Sequence, residues 1–127
     1  MRTQRAVTLG LPLLLAAGCR SLLAADAVPA RLLEPDAAAR AELSAAVSAA
    51  LHRDSVLLAD DALVGSSLLV LERAPARDPA GTRLQGRELA GPWRFRLWLS
   101  GGPCVLEQLD GGRSAWLSHA RCSAESR

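Results

Sequence analysis

The sequence predicts an α+β fold, with one N-terminal helix packed on a four- to five-stranded antiparallel sheet that ends in a β-meander. Three observations carry that prediction. The alanine-rich stretch after Pro35 has helical periodicity. Trp93 to Leu99 alternates apolar and polar side chains as a half-buried strand does. Two glycine-bearing turns, Ser100-Gly101-Gly102 and Asp110-Gly111-Gly112, separate the last extended segments. A helix at the front with no βαβ alternation behind it speaks against a Rossmann-type or other doubly wound sheet.

Taken in order, residues 19–33 read as a tether, because Val28-Pro29 interrupts a run of small and apolar residues. A single domain is expected over residues 34–122, followed by a short tail at 123–127. Pro35 suits a helix first turn, Asp36 places a negative charge at the helix N-terminus, and the helix is expected to reach Arg53. Ala39, Leu43, Ala46, Val47, Ala50 and Leu51 share one face, with Ser44, Ser48 and His52 directed away from it. Ser55 to Ala59 and Ser67 to Glu72 are expected to be buried strands flanking the turn residues Asp60-Asp61 and Gly65. Ala74 to Gly91 carries two prolines and three glycines and reads as a surface loop, with a short strand near Arg87-Glu88-Leu89. Trp93 to Leu99, Cys104 to Leu109 and Ser114 to Cys122 then form the meander. No internal repeat is apparent.

The leader is the most specific feature. Arg2 and Arg5 precede an apolar run from Ala6 to Ala17, and the sequence continues Leu15-Ala16-Ala17-Gly18-Cys19. At about 12 residues the run matches a secretory h-region and falls short of the roughly 18 to 20 residues that span a bilayer. These twenty residues resemble the signal and lipobox of bacterial lipoprotein precursors. The resemblance implies a signal peptide over residues 1–18 and lipidation of Cys19 as the first mature residue, anchoring the chain in a membrane. Ala16 stands where the pattern usually has leucine. Arg20 follows the cysteine, where an aspartate would in some bacteria retain the protein in the inner membrane, so the implied destination is the outer membrane, facing the periplasm. A second cut site, Ala25-Asp26-Ala27, would instead release a soluble periplasmic chain without Cys19. Retention of Ala6 to Ala25 as an anchor is disfavoured by Arg20, which costs about 2.5 to 3.5 kcal/mol at a bilayer centre.

Beyond the leader, 13 arginines balance 13 acidic residues, which leaves no basic footprint for nucleic acid. The absence of lysine, tyrosine, isoleucine and asparagine, with abundant alanine and leucine, is a compositional bias of the kind a GC-rich genome produces. Cys104 and Cys122 are an even pair for an oxidising compartment and are expected to form a disulfide, although a two-residue turn at Gly111-Gly112 would set Cys104 opposite His119. A wider turn or a bulge would restore the pairing.

No catalytic constellation, cofactor or metal site is implied. His52 and His119 lack ligand spacing with Asp60, Asp61 or the cysteines. Gly65-Ser66-Ser67 lacks the hydrolase elbow. The group suited to recognition is Arg94, Arg96 and Trp98 on one strand face with Trp116 on a neighbouring strand, since arginine and tryptophan together bind acidic sugars, lipid headgroups or peptide carboxylates. The same residues also suit a solvated face on which arginine stems cover tryptophan. The expectation is a lipid-anchored envelope protein with a non-enzymatic interaction or assembly domain, whose partner is an envelope protein, peptidoglycan or lipid. The alternative is an envelope enzyme or accessory subunit acting on cell-wall or lipid substrates, which requires a polar cleft gathering His119, Asp60 or Glu107.

Overall fold

A computed structural model describes residues 22–73, 77–82 and 91–126. Asp36 opens the helix. Its backbone is extended and its side-chain oxygen accepts a hydrogen bond from the Ala39 N–H at 2.8 Å, so it is the N-cap of α1 (Ala37–Ala50). Pro35 therefore lies ahead of the cap and outside the first turn, and its carbonyl accepts a bond from Arg40 Nη1. Ala39, Leu43 and Val47 are buried, while Ala46, Ala50 and Leu51 are half-buried against the same core. Ser48 is buried too, contrary to its expected outward placement; its hydroxyl is satisfied by donating to the Ser44 carbonyl at 2.7 Å.

The helix ends at Ala50, three residues before the expected Arg53. His52 takes a left-handed conformation (φ 52°), its N–H bonds to the Ala49 carbonyl, and the Arg53 N–H bonds to the Ser48 carbonyl. This is a Schellman closure with histidine where glycine is usual.

Among the described residues six strands form one antiparallel sheet: β1 (Val28–Leu32), β2 (Leu68–Leu71), β3 (Trp93–Leu99), β4 (Cys104–Gln108), β5 (Ser114–Leu117) and β6 (Cys122–Ala124). The order is β5-β4-β3-β1-β6, with β2 also paired to β3. The α+β class holds, with one strand more than expected and the β3-β4-β5 meander in place. The second edge of β3 is divided. Leu99 and Trp98 pair with Val28 and Pro29, whereas Arg96 to Trp93 pair with Leu68 to Leu71.

Several expectations are corrected. Val28 to Leu32 is a sheet strand, so the segment read as a tether ends before it: Ala30 and Leu32 point into the core and are buried. Pro29 is tolerated near the strand start, where its carbonyl accepts the Glu125 N–H at 2.8 Å. Ser55 to Ala59 forms no strand, because the edge of β3 it would need is already taken by β1 and β2. The segment is held instead by the Ser44 hydroxyl on the Val56 carbonyl, and Leu57 points outward. The run from Ser114 to Cys122 breaks after Leu117, and its end crosses to pair with β1 as β6, which includes Ser123 and Ala124 of the expected tail. The strand expected near Arg87-Glu88-Leu89 lies outside the described residues.

Phe95, Leu97, Leu106 and Leu117 form the sheet side of the core, against Leu43 and Val47 of α1. Cys104 and Cys122 are joined by a disulfide with Cα atoms 6.1 Å apart. In the β4–β5 ladder Cys104 faces Leu117, so the bond does not cross that ladder. The turn joining those strands is wider than two residues, with Gly112 at positive φ and the Gln108 N–H on the Arg113 carbonyl. The departure of the chain after Leu117 brings Cys122 back beneath β4. In the chain-entropy account a loop of this size stabilises the fold by about 3 kcal/mol.

His52→Gly is expected to stabilise the protein by about 1 kcal/mol, since glycine takes this backbone conformation without a Cβ penalty. The thermal midpoint should rise by roughly 4–8 °C. A lower midpoint would contradict the closure described.

Candidate interaction surface

The sheet has one covered face and one uncovered by α1. Strand alternation sends Phe95, Leu97 and Leu99 inward and Arg94, Arg96 and Trp98 outward. Register then sets the outer face in rows. Trp116, Val105, Trp98 and Pro29 are successive cross-strand neighbours, and Ser114, Glu107, Arg96 and Leu68 form the adjacent row. Trp116 is 48% exposed, whereas Val105, flanked by the two tryptophans, is fully buried despite facing outward. Arg96 Cζ lies 5.9 Å from the Trp98 ring centroid, at the outer limit of a cation–π contact. Arg96, Trp98 and Trp116 are thus brought to one surface, as the alternation implied.

Arg94 is diverted from it. Its guanidinium pairs with Asp110 Oδ1 at 2.8 Å and its N–H donates to Asp110 Oδ2 at 3.0 Å, stapling β3 to the β4–β5 turn. The hydrogen bond from Arg94 holds the Asp110 carboxyl below its ordinary range and raises the guanidinium in turn. Arg31 takes its place. It faces outward from β1 two residues after Pro29, past the point where β1 leaves β3; Leu68 stands opposite Arg96, and what the two arginines share is the field that both set at Glu125. Assignment of this segment to a tether concealed Arg31; the alternation of Pro29 and Arg31 with buried Ala30 and Leu32 was the available signal.

Glu125 sits at the junction where β1 leaves β3 and β2 begins. Its carboxylate accepts the Ser67 hydroxyl at 2.6 Å and the Ser67 N–H at 3.0 Å. Those bonds hold its carboxyl below the usual range, with Arg31 and Arg96 adding a favourable field. Three donors on this face, Arg31 Nε, Arg96 Nε and Trp98 Nε1, are buried without an acceptor. A desolvated donor left unpaired costs about 1–3 kcal/mol, so an acceptor oxygen that these groups reach by side-chain rotation would be matched here.

The residues considered for chemistry lie apart. His52 closes α1. The N–H groups of Ser118 and His119 and the Ser118 hydroxyl donate to the Glu42 carboxylate. Burial opposes ionisation of Glu42, but those donors prevail and hold it below the ordinary carboxyl range. Asp60 and Asp61 are exposed in a turn, and Glu107 stands on the outer sheet face. The cleft that includes Asp60 is otherwise lined mainly by alanine and leucine between α1 and residues 56–62. Among the described residues, no group of three or more His, Cys, Asp or Glu could hold a metal ion. Also among these residues, no helix is long and apolar enough to cross a membrane. Cys19 lies outside the described residues.

Comparison with known families, curated proteins and solved structures finds no match to this chain. Function must be argued from the residues.

Because Glu42, Asp110 and Glu125 are all depressed in the folded chain, their stabilisation is complete above the unfolded carboxyl pKa of about 4 and is lost as pH falls through the folded values. Thermal midpoints should fall on acidification below about pH 4.5, with a shallower fall in Glu42→Gln and Glu125→Gln, which begin lower at pH 7. A midpoint that rises on acidification would contradict these assignments.

Proposed function

We propose that this chain is an envelope lipoprotein, anchored in the outer membrane through Cys19, whose small periplasmic domain is a non-enzymatic interaction or assembly module. The observation that carries the interaction reading is the outer sheet face, where Arg31, Arg96, Trp98 and Trp116 lie together, with unmatched donors beside a half-exposed ring. The apolar run followed by Ala17-Gly18-Cys19 supports the anchor. The disulfide fits an oxidising compartment. The partner is drawn from lipid, peptidoglycan or an envelope protein, each of which presents acceptor oxygens.

Cys19→Ser is expected to abolish incorporation of labelled fatty acid and to leave an unprocessed or misrouted precursor. Membrane fractionation with fatty-acid labelling measures both. Continued labelling of the substituted chain, or a mature protein that begins at Val28, would overturn the anchor.

A further inference from the structure

The outer face has a location as well as a chemistry. Cys19 precedes Leu22 by three peptide units, which span at most about 11 Å in any conformation. Leu22 and Ala24 are tied to the end of β3. The buried Ser100 hydroxyl accepts the Ala24 N–H at 2.6 Å and donates to the Leu22 carbonyl at 3.4 Å. A lipid on Cys19 therefore leaves almost no slack between the membrane and the sheet end that carries Ser100. A domain so acylated would be held at the headgroups and would not swing on a long tether.

Register fixes what that end presents. Trp98 is two residues from Ser100, about 7 Å along a strand, and its row contains Trp116. Arg96 is about 13 Å from Ser100 on the same face. Each headgroup layer is about 5–8 Å thick. Tryptophan partitions to that layer because its ring is apolar and its N–H polar, and arginine stems lie on apolar surface while their heads reach polar groups.

We propose that the outer face of the anchored domain leans on the membrane surface, with Trp98 and Trp116 among the headgroups and Arg31 and Arg96 bonded to lipid phosphates. The inference rests on acylation of Cys19 and names lipid as the partner of the surface described above. Phosphate oxygens supply the acceptors that Arg31, Arg96 and Trp98 lack, after rotation of their side chains. On the α1 side of the same end, Glu42 is engaged with Ser118 and His119 and presents a carboxylate, which suits phosphate poorly. Glu107 and Glu125 balance Arg31 and Arg96 in charge, so the contact depends on short-range bonds and ring insertion and does not require an anionic lipid.

The test uses the mature acylated chain reconstituted into phosphatidylethanolamine–phosphatidylglycerol vesicles, some carrying a nitroxide on the headgroup. Tryptophan emission, vesicle flotation and acyl labelling are read on the same samples. The headgroup nitroxide is expected to lower emission roughly twofold in the unsubstituted chain, as interfacial tryptophans require. Most of that loss should disappear in Trp98→Phe/Trp116→Phe, which retains Trp93 on the inner side of β3. Trp116→Phe alone, at an exposed position, should remove a substantial part of it and guards against misfolding of the double variant. Arg31→Gln/Arg96→Gln should weaken the quenching. If the acylated chain floats but headgroup quenching in the unsubstituted chain is no greater than in the double tryptophan variant, the contact is wrong, the anchor stands, and the face is open to a protein or glycan. If the chain carries no acyl label and does not float, the anchor and the contact both fail.

Discussion

The divided edge of β3 is the constraint on which the rest of the structure depends. One long strand offers its second edge first to Val28 and Pro29 and then to Leu68 through Leu71, and the two partners cannot both continue along it. β1 turns away after Pro29 and takes β6 as its further partner, while the Ser67 carbonyl accepts the Leu97 N–H at 2.9 Å and so carries the β2 edge up to the branch. Glu125 closes the branch point by capping Ser67, whose N–H and hydroxyl are buried there. The branch also sets the disulfide, because β6 must return to β1 and so passes beneath Cys104.

The composition of the outer face follows from the same geometry. Apolar side chains on alternate positions of β1, β3, β4 and β5 are drawn under α1, which leaves their neighbours facing outward whatever their chemistry. Alternation alone would have grouped Arg94 with Arg96 and Trp98. The β4–β5 turn instead places Asp110 against Arg94, and β1 brings Arg31 to the outer face, where it and Arg96 both bear on Glu125. The surface that results is centred on the half of the sheet nearer Ser100. Three of its N–H groups are buried without a protein acceptor.

Elements specified by local rules were legible in the sequence. Asp36 as a helix start, β3 by its alternation and the two glycine turns of the meander each depend on a few adjacent residues. What was not legible depends on distant partners. β1 is five residues long, contains proline, and pairs with segments some seventy to ninety residues later, so a short alternation is all that marks it locally as a strand. β6 is three residues long and continues an apparent β5. Ser55 to Ala59 has strand-like composition but finds no edge, and a strand without a partner does not form. Arg96, Trp98 and Trp116 were legible because their faces follow from alternation within clear strands. Arg31 was not, because its face has meaning only once β1 is known to be in the sheet.

The central claim is that the chain enters the sheet by Val28, with β1 as an interior strand between β3 and β6. Amide hydrogen exchange at Ala30, Arg31 and Leu32, compared with Phe95 and Leu97 of β3, tests this most directly. Leu32 donates to the Leu63 carbonyl at 2.8 Å, and β1 has partners on both edges, so Leu32 and at least one neighbouring amide should exchange as slowly as the β3 amides, through the same cooperative opening. Exchange of all three at rates typical of an unstructured chain, with β3 still protected, would show that the segment is a tether and would contradict the account.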